Sequence, residues 1–507
     1  MNRGAGILMP ISSLPSKYGI GCFSKSAYDF VDLLDKGGQS YWQILPLGPT
    51  GYGDSPYQSF SAFAGNPYFI SLEELIESGL LTKDECEKAD LGDGNSYINY
   101  EKLYNNRFKL LRLAYERADL TEYTDFSEFC KINAHWLDDY ALFMALKEKF
   151  GGLPFSEWDE SIRKRNPQCL EKHRSELKTE IGFQRFVQFL FYTQWAKLKA
   201  YANKKGLKII GDIPIYTALD SVDVWASPEL FELDENLTPT FVAGCPPDGF
   251  SADGQLWGNP LYQWDIHKKS GFAWWIKRMK HCFDMYDIVR IDHFRGFDEY
   301  YSIPYRDKNA KNGHWKKGPG LSLFKAIEKS LGLCPVIAED LGFMTDSVRK
   351  LVKDSGFPSM KVLEFAFDSR DTGAKNDYLP HNYPKNCVAY TGTHDNQTLI
   401  SWFESISKDE KNSVRDYLLD IYTPDKKINL PLIGLLMRSN ADTCIIPIQD
   451  YLGLRDDARI NTPSTLGENW KWRICEDMLS DDLADLLLKS ASAFGRQRNF
   501  GQTSKKV

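Results

Sequence analysis

The sequence has few of the residues that would indicate a metal site or a disulfide framework. It contains 8 histidines in 507 residues, and its 10 cysteines are scattered singly, without any Cys-x-x-Cys pair. Structural zinc sites need such ligands at short spacing, and disulfide frameworks are typical of short, cysteine-rich secreted chains. We therefore predict free thiols in a reducing compartment.

The chain also lacks long apolar runs and an excess of positive charge. No apolar run approaches the length of a membrane span, and the short Ile-Leu-Met stretch near the N-terminus is broken by Pro10, unlike a signal peptide. Lys and Arg total 62 against 69 Asp and Glu, a net charge of −7 without blocks. This balance argues against a nucleic-acid partner and favours a small or neutral ligand. We expect a cytoplasmic protein without a membrane partner.

Aromatic residues, by contrast, are frequent. The 13 Trp, 26 Tyr and 30 Phe make up 14% of the chain, and most must belong to the core. Some of them lie in loops rich in Gly and Pro, namely Tyr52, Tyr57, Trp257, Tyr262, Trp264, Trp470 and Trp472. Exposed rings with a polar group suit the faces and hydroxyls of sugars. This feature alone leaves carbohydrate binding and a large aromatic core equally open.

Eight short apolar runs predict buried strands, and many are separated by amphipathic helical patterns. The runs cover residues 5–12, 41–47, 206–213, 286–292, 335–340, 360–367, 386–392 and 443–450. Alternating strands and helices indicate a parallel sheet, and eight strands favour closure into a barrel. The predicted fold is α/β, a (β/α)8 TIM barrel with large, mostly helical inserted subdomains.

The uneven spacing of these runs predicts the domain organisation. Residues 54–205 read as an inserted, mostly helical subdomain after strand 2, whose amphipathic end at 183–204 supplies a covering helix of the barrel. Residues 1–53 and 206–507 then form the catalytic barrel with its substrate loops. A second long gap, 214–285, contains the segment AGCPPDGFSADGQLWGNPLYQW (243–264), which is so rich in Gly and Pro that we expect an irregular loop over the active face.

Four of the predicted strands end in a charged residue. The segments are GDIPIY (211–216), VRIDHFRG (289–296), VIAEDLG (336–342) and YTGTHDNQ (390–397). In (β/α)8 barrels the chemistry lies at the C-terminal ends of the strands. Asp292, Glu339 and Asp395 should therefore converge in space.

The neighbours of two of these acids suggest different protonation states. Alternation along the strand places Arg290 on the same side as Asp292, so the guanidinium should lower the pKa of Asp292, as a nucleophile requires. A purely structural ion pair is the alternative. Glu339 among apolar walls should have a raised pKa and serve as general acid and then base, with Asp340 pointing to the other side. Here the alternative is a capping or ion-paired carboxylate.

The third acid, Asp395, follows His394 at a strand end that contains glycine. His394 could donate to substrate hydroxyls, while Asp395 could stabilise positive charge. A metal site is the competing hypothesis, since His, Asp and Asn are all ligand types, but no second histidine lies nearby at helical spacing. Three acids at strand ends suit glycoside chemistry, in which a retaining mechanism needs two carboxyl groups about 5–5.5 Å apart.

The segments VRIDHFRG, IAEDLG and TGTHDN resemble the catalytic segments of the α-amylase superfamily. Longer segments resemble the amylomaltases, which are 4-α-glucanotransferases. These segments are GYGDSPYQSFSAFAGNPYFISLE (51–73), GDIPIY, PPDGFSADGQLWGNPLYQW, MKVLEFAF, YTGTHDNQT and ARINTPSTLGENWKWR. The resemblance runs from about residue 4 to 475, and its motifs are long and specific.

This resemblance implies roles for individual residues. It implies Asp292 as nucleophile, Glu339 as acid/base and Asp395 as transition-state stabiliser. It further implies substrate contacts, around the donor sugar for Ser55, Tyr57, Asp212, Arg290 and His394, in an overhanging acceptor-side loop for Gln255 and Trp257, and in a further loop for Asn461. The implied partners are maltose, malto-oligosaccharides and amylose or glycogen-derived glucans, with no metal and no cofactor.

Two departures and two alternatives accompany the resemblance. Gly249 stands where amylomaltases usually carry an aromatic residue, and Ala252 stands where an acidic residue is common, which softens the overhanging loop. GDIPIY lacks the Asn-His ending of hydrolytic α-amylases, which favours a transferase. The alternatives are a hydrolase with water as acceptor and a non-catalytic maltodextrin-binding protein. Intact acids at all three strand ends argue against the latter.

Overall fold

The computed structural model describes residues 3–51, 53–92, 96–121, 123–247, 252–332, 334–342, 344–370 and 373–498. The strands in this part of the chain are β1 (Gly4–Leu8), β2 (Tyr41–Gln43), β3 (Lys208–Pro214), β4 (Phe241–Cys245), β5 (Gln255–Pro260), β6 (Ile288–Asp292), β7 (Glu299–Pro304), β8 (His314–Lys317), β9 (Val336–Ala338), β10 (Ser359–Val362), β11 (Cys387–Tyr390) and β12 (Thr443–Pro447). The α-helices are α1 (Lys25–Lys36), α2 (Leu72–Glu77), α3 (Lys83–Lys88), α4 (Tyr100–Arg117), α5 (Thr124–Lys149), α6 (Glu160–Arg163), α7 (Pro167–Glu176), α8 (Lys178–Lys204), α9 (Val222–Ala226), α10 (Trp264–Lys269), α11 (Ala273–Met285), α12 (Leu321–Leu331), α13 (Asp346–Ser355), α14 (Leu399–Ser405), α15 (Lys408–Leu418), α16 (Asn429–Met437), α17 (Ile448–Leu452) and α18 (Asp481–Ala493).

Within these described ranges, eight parallel strands close into a barrel. Their order around the ring is β1, β2, β3, β6, β9, β10, β11 and β12, and β12 pairs with β1 to complete it. Each strand is rich in apolar residues because both of its faces are buried, one by the barrel interior and the other by helices. The predicted (β/α)8 barrel is confirmed, and each predicted run overlaps one strand of the barrel.

The barrel strands are all shorter than the predicted runs, and β10 and β12 show the reason at the face where the charged residues lie. β10 ends at Val362, and residues Leu363–Phe367 form a 3-10 turn. β12 ends at Pro447, and α17 begins directly at Ile448. In both places the apolar run continues beyond the strand because the turn is itself buried. In these two segments the length of the apolar run therefore indicated which residues are buried, but it did not indicate where the strand ends.

The segment expected to be an irregular loop contains two strands, so that prediction was wrong. β4 and β5 pair antiparallel and join β7 and β8 in a four-stranded sheet of order β5-β4-β7-β8. Val242 and Ile303 pack with Tyr301 and Ala310 in a small apolar cluster of this sheet. The Gly and Pro content concealed both strands, since β5 pairs only with β4, and β4 is held on its other side by β7, which is distant in sequence.

The segment between β2 and β3 is mostly helical, with α2 to α8, as predicted. The long helix α8 packs against α5, against the barrel helix α1 and against β3. The indole N–H of Trp195 on α8 donates to the carbonyl oxygen of Met285, at 3.0 Å. The predicted domain boundaries, 53/54 and 205/206, stay a prediction. Helices long and apolar enough to span a membrane are absent from the described ranges.

At the end of the barrel opposite the charged strand ends, a buried arginine joins the first and last strands. Arg496 is 0% exposed, and its guanidinium donates to five carbonyl oxygens, those of Gly4, Met437, Ser439, Ala441 and Asp442, at 2.7–3.3 Å. These carbonyls belong to the segments that lead into β1 and β12. One side chain therefore satisfies the backbone groups where the barrel closes.

We expect Arg496→Leu to destabilise the fold strongly, because a buried acceptor without a partner costs about 1–3 kcal/mol and several would be left. Chemical denaturation would show a loss of at least about 3 kcal/mol in the free energy of unfolding. Arg349, which pairs with Asp377 at the surface, provides the matched control. Arg349→Leu should cost less than about 1 kcal/mol. Similar losses in both variants would contradict this interpretation.

Candidate active site

The centre of the site is an arginine held between two aspartates. The parallel register of β3 and β6 places Asp212 opposite Arg290. Nη1 of Arg290 donates to both carboxylate oxygens of Asp212, at 2.7 and 2.6 Å, and Nη2 donates to Oδ1 of Asp292 at 3.0 Å. The Tyr57 hydroxyl donates to Oδ2 of Asp212 at 2.8 Å. Arg290 and Asp212 are buried, whereas the Asp292 side chain is 31% exposed. Of the three charged side chains in this group, Asp292 is therefore the most accessible to a ligand.

The predicted lowering of the Asp292 pKa was wrong. The pKa of Asp292 is raised above its usual range, chiefly because of burial, although Arg290 opposes this effect. The carboxylates of Asp212 and Asp395 raise the pKa further. Arg290 is shared with Asp212, so its charge compensates two acids at once, and this leaves burial dominant at Asp292.

Glu339 is held by the backbone of the two neighbouring strand ends. Its Oε2 accepts the N–H of His293 at 2.6 Å, and its Oε1 accepts the N–H of Leu341 at 2.8 Å. His293 adopts a left-handed backbone conformation, with φ 54°, directly after β6. A residue with a β-carbon pays a steric cost in this region, and such strain is concentrated at functional sites. This turn aims the N–H of His293 at Glu339, and thereby ties Glu339 to the residue that follows Asp292.

The pKa of Glu339 is raised to about 8, first by burial and then by the negative charge of Asp292. The expected direction is confirmed. Arg290 donates a hydrogen bond to Asp292 and not to Glu339, so this direct contact favours the charged form of Asp292. Asp340 points away, as expected, and accepts the N–H of Met360 on β10 at 2.7 Å.

Asp395 enters the same space from the loop after β11. Its side chain is 44% exposed, and its Oδ1 accepts the side-chain N–H of Asn461 at 2.6 Å. Nε2 of His394 lies 3.4 Å from the same oxygen. The His394 ring is buried and stacked on Tyr57, with 5.2 Å between the ring centroids. His394 is thus fixed between Asp395 and the ring that binds Asp212.

The three acids face one space. Asp395 raises the pKa of Asp292, and Asp292 raises the pKa of Glu339. Tyr57 has a raised pKa, mainly through burial, and Asp212, Asp292 and Asp395 all contribute. Such mutual effects require short separations through a poorly solvated medium. The predicted convergence of acids from three distant segments is therefore present.

The remaining predicted contacts lie around this space. The Ser55 hydroxyl accepts the N–H of Tyr57 at 3.3 Å and so shapes the turn that carries that ring. Trp257 donates its indole N–H to Oε1 of Gln255 at 3.0 Å, and its ring meets His293 edge to face at 4.7 Å between centroids. Gln255 and Trp257 were expected in an overhanging loop but lie on β5. They are consequently fixed by the four-stranded sheet.

The remaining sequence predictions concern Ala252, Gly249, Tyr52 and a metal site. Ala252 is exposed in the turn that leads to β5. Gly249 and Tyr52 lie outside the described residues. In the metal hypothesis Asn396 was a ligand type, but its side chain binds Glu364 and Thr393 instead. In the described part of the chain, no group of three or more His, Cys, Asp or Glu side chains is arranged as a metal site.

Sequence reasoning missed two contacts of the Asp395 loop. Arg459 donates to the backbone oxygen of Asp395 at 2.7 Å. Trp470 lies beside His394 and Tyr57, each at 5.9 Å between ring centroids. Arg459 is two residues before Asn461, so its position beside a predicted substrate contact could have indicated that it also approaches Asp395. Trp470 was noted only as an aromatic residue in a loop.

Comparison with known proteins finds a matching family and close relatives that share one description. A protein-family model described as 4-alpha-glucanotransferase matches residues 9–478. The 4-alpha-glucanotransferase of Clostridium butyricum is 50% identical over 490 residues, which cover 96% of this chain and 100% of that protein. The 4-alpha-glucanotransferase of Thermus thermophilus is 45% identical over 503 residues, with 97% and 99% covered.

Two solved structures share the fold. The amylomaltase of Streptococcus agalactiae in complex with acarbose is 41% identical, with a TM-score of 0.94, and the match covers 98% of this chain and 100% of that one. The amylomaltase of Corynebacterium glutamicum is 18% identical, with a TM-score of 0.77 and 98% and 75% covered, so it supports the fold alone.

The raised pKa of Glu339 predicts a pH-dependent cost to stability. Between pH 4.5, the ordinary value, and about 8, the unfolded chain releases this proton while the folded chain keeps it. Stability is therefore lost as the pH rises through this window. Glu339→Gln removes the titration, so the Tm of the variant relative to the parent should increase from pH 5 to pH 8. Differential scanning calorimetry at several pH values measures this.

The matched control is Glu101→Gln, on an exposed part of α4. Its Tm relative to the parent should change much less over the same pH range. A constant Tm difference between Glu339→Gln and the parent would contradict the raised pKa, whatever its absolute size.

Proposed function

The chain belongs to the family of 4-alpha-glucanotransferases, and we propose that it transfers α-1,4-glucan segments by a retaining double displacement through a covalent glycosyl-aspartate. The observation that carries this proposal is the hydrogen bond from the N–H of His293 to Glu339. It links the backbone next to Asp292 with the second acid. One acid paired with arginine beside one acid with a raised pKa is the combination that retaining glycoside chemistry requires.

In the first step, Asp292 attacks C1 of a bound maltodextrin while Glu339 protonates the departing glycosidic oxygen. The contact with Arg290 favours the ionised form of Asp292 over that of Glu339. The pKa of Glu339, about 8, leaves its proton available at neutral pH. Protonation of the leaving group and attack on C1 can therefore occur together.

In the second step, Glu339 takes the proton of the 4-hydroxyl of an acceptor glucan, and that oxygen replaces Asp292 at C1. One α-1,4 bond is broken and one is made, so no energy source is needed. Asp395 would stabilise the positive charge of the oxocarbenium-like transition state in both steps. Its bond with Asn461 and its partial exposure agree with a carboxylate that stays fixed and still faces the sugar.

The substrate contacts divide into a donor side and an acceptor side. Ser55, Tyr57, Asp212, Arg290 and His394 would lie around the donor sugar, and Asn461 would contact the substrate from a further loop. Gln255 and Trp257 on β5 would bind the acceptor and keep water from the intermediate. The fixed position of Trp257 against His293 supports this role, because a rigid ring gives a sugar a defined surface.

The proposed substrates are maltose, malto-oligosaccharides and amylose or glycogen-derived glucans in the cytoplasm. The acarbose complex of the Streptococcus agalactiae amylomaltase supports an oligosaccharide ligand.

With maltotriose as the only substrate, we expect glucose and longer oligomers to appear without a net gain in reducing ends. Chromatography of the products together with a reducing-end assay measures both quantities. A steady gain in reducing ends would favour the alternative hydrolase, since water would then be the acceptor.

Asp292→Asn should lower the rate of transfer by at least about 10³-fold, because the nucleophile is lost. Circular dichroism should show an unchanged fold, and a fluorinated glucosyl donor should label the parent covalently but not the variant. Asp29→Asn, at an exposed position of α1, is the control and should keep full activity. Transfer near the parent rate by Asp292→Asn would refute its role, and an unlabelled parent would favour a binding protein.

A further inference from the structure

A buried acid that the proposed reaction does not use lies behind the loop that carries Asp395. Glu364 is in the 3-10 turn after β10, and 7% of its surface is exposed. Its backbone N–H donates to the carbonyl oxygen of Thr391 at 3.2 Å. A buried carboxyl group is costly to fold, so its side-chain contacts need an explanation.

The side chain of Glu364 begins a chain of hydrogen bonds that ends at Asp395. Oε2 of Glu364 accepts the side-chain N–H of Asn396 at 3.0 Å. Oδ1 of Asn396 accepts both the backbone N–H and the hydroxyl of Thr393, each at 2.9 Å. The hydroxyl oxygen of Thr393 in turn accepts the backbone N–H of Asp395 at 3.3 Å. Each link restricts the next.

We propose that Glu364 is a positioning residue: through Asn396 and Thr393 it fixes the turn that presents Asp395 to the sugar. This inference rests on the role proposed above for Asp395. Glu364 acts through this turn, so its contribution is to geometry and not to a chemical step. A displacement of about 1 Å in a catalytic group can lower a rate by as much as 10²-fold.

The packing around Glu364 leaves room for this carboxyl group and little else. A β-carbon at Gly392 would come within 2.8 Å of Oε1 of Glu364 and 3.0 Å of the β-carbon of Asn396. The glycine in the TGTHDN segment therefore allows the carboxyl group to lie directly beneath the loop. Oε1 itself has no hydrogen-bond partner among the described residues. The contact with Asn396 is thus the side-chain bond that the structure gives to Glu364.

A neutral carboxyl group fits these surroundings. Burial raises the pKa of Glu364 well above its ordinary value, and the charge of Asp450 adds to this. The bond from Asn396 and the charge of Arg459 oppose the shift. A neutral acid offers Asn396 a carbonyl oxygen, and the amide of glutamine offers the same acceptor at the same length. Glutamine should therefore replace Glu364, whereas leucine should not.

Other acids hold the ends of the loop independently of Glu364. Asp450 accepts the hydroxyl of Thr391 at 2.5 Å and the N–H of Leu399 at 2.8 Å. Asp456 accepts the N–H of Thr398 at 2.9 Å. With both ends held, removal of the Glu364 bond should disturb the middle of the loop while the protein stays folded.

The test compares two substitutions in steady-state transfer from maltotriose. Glu364→Leu should lower kcat by about 10- to 100-fold and change KM by less than about threefold, because the position of a transition-state group is disturbed while substrate binding remains. Glu364→Gln should keep kcat within about threefold of the parent. An unchanged kcat in Glu364→Leu, or equal losses in both variants, would overturn the proposal.

A control separates positioning from a general loss of stability. Gln39 is fully buried near the opposite end of the barrel, where its side-chain N–H donates to the carbonyl oxygen of Gly37 at 2.8 Å. Gln39→Leu should lower the Tm and leave kcat unchanged. If Gln39→Leu lowers kcat as much as Glu364→Leu does, the effect of Glu364 is merely structural and the proposal fails.

A double-mutant cycle tests the path itself. Asn396→Ala removes the next link. The double variant Glu364→Leu/Asn396→Ala should therefore be about as active as the less active of the two single variants. If the fold losses of activity in the two single variants multiply in the double variant, the two residues act independently and the proposed path is contradicted. Asp395→Asn identifies where a failure lies: if it is inactive while Glu364→Leu is fully active, only this inference fails. If Asp395→Asn is fully active, the proposed function fails with it.

Discussion

The site depends on the guanidinium of Arg290 lying between two carboxylates. It joins Asp212 on β3 to Asp292 at the end of β6, and the parallel register of these strands brings the charges together. A buried ion pair stabilises little on its own, since desolvation offsets most of the attraction. Its value here is geometric. The carboxylate of Asp292 and the ring of Tyr57, which binds Asp212, are both oriented by one side chain.

The same arrangement gives two similar acids different surroundings. Burial raises the pKa of both Asp292 and Glu339. Only Asp292 contacts Arg290 directly, whereas Glu339 is held by backbone N–H groups. The acids therefore differ both in what each one touches and in exposure, since Asp292 is partly exposed and Glu339 is buried. A nucleophile and a proton donor require this distinction.

A second layer of acids supports the loops at the same end of the barrel. Asp340 binds the backbone of β10, Glu364 binds Asn396, and Asp450 binds both ends of the loop that carries Asp395. Each of these acids lies just beyond a strand and contacts the neighbouring segment. The pKa of each is raised by burial. Asp340 and Asp450 accept backbone N–H groups and Glu364 accepts a side-chain N–H, so these loop groups have protein partners in place of water.

The sequence alone determined the barrel and the identity of its acids. Buried parallel strands need continuous apolar runs, and a strand end that carries Asp292 or Glu339 stands out against such a run. Only the tertiary structure decided the rest. The strand β4 depends on pairing with distant β7, and β5 in turn pairs with β4. The pKa of Asp292 depends on an arginine shared with Asp212. The role of Glu364 was equally hidden, because an acid inside an apolar run shows its partner only when the neighbouring loop is folded against it.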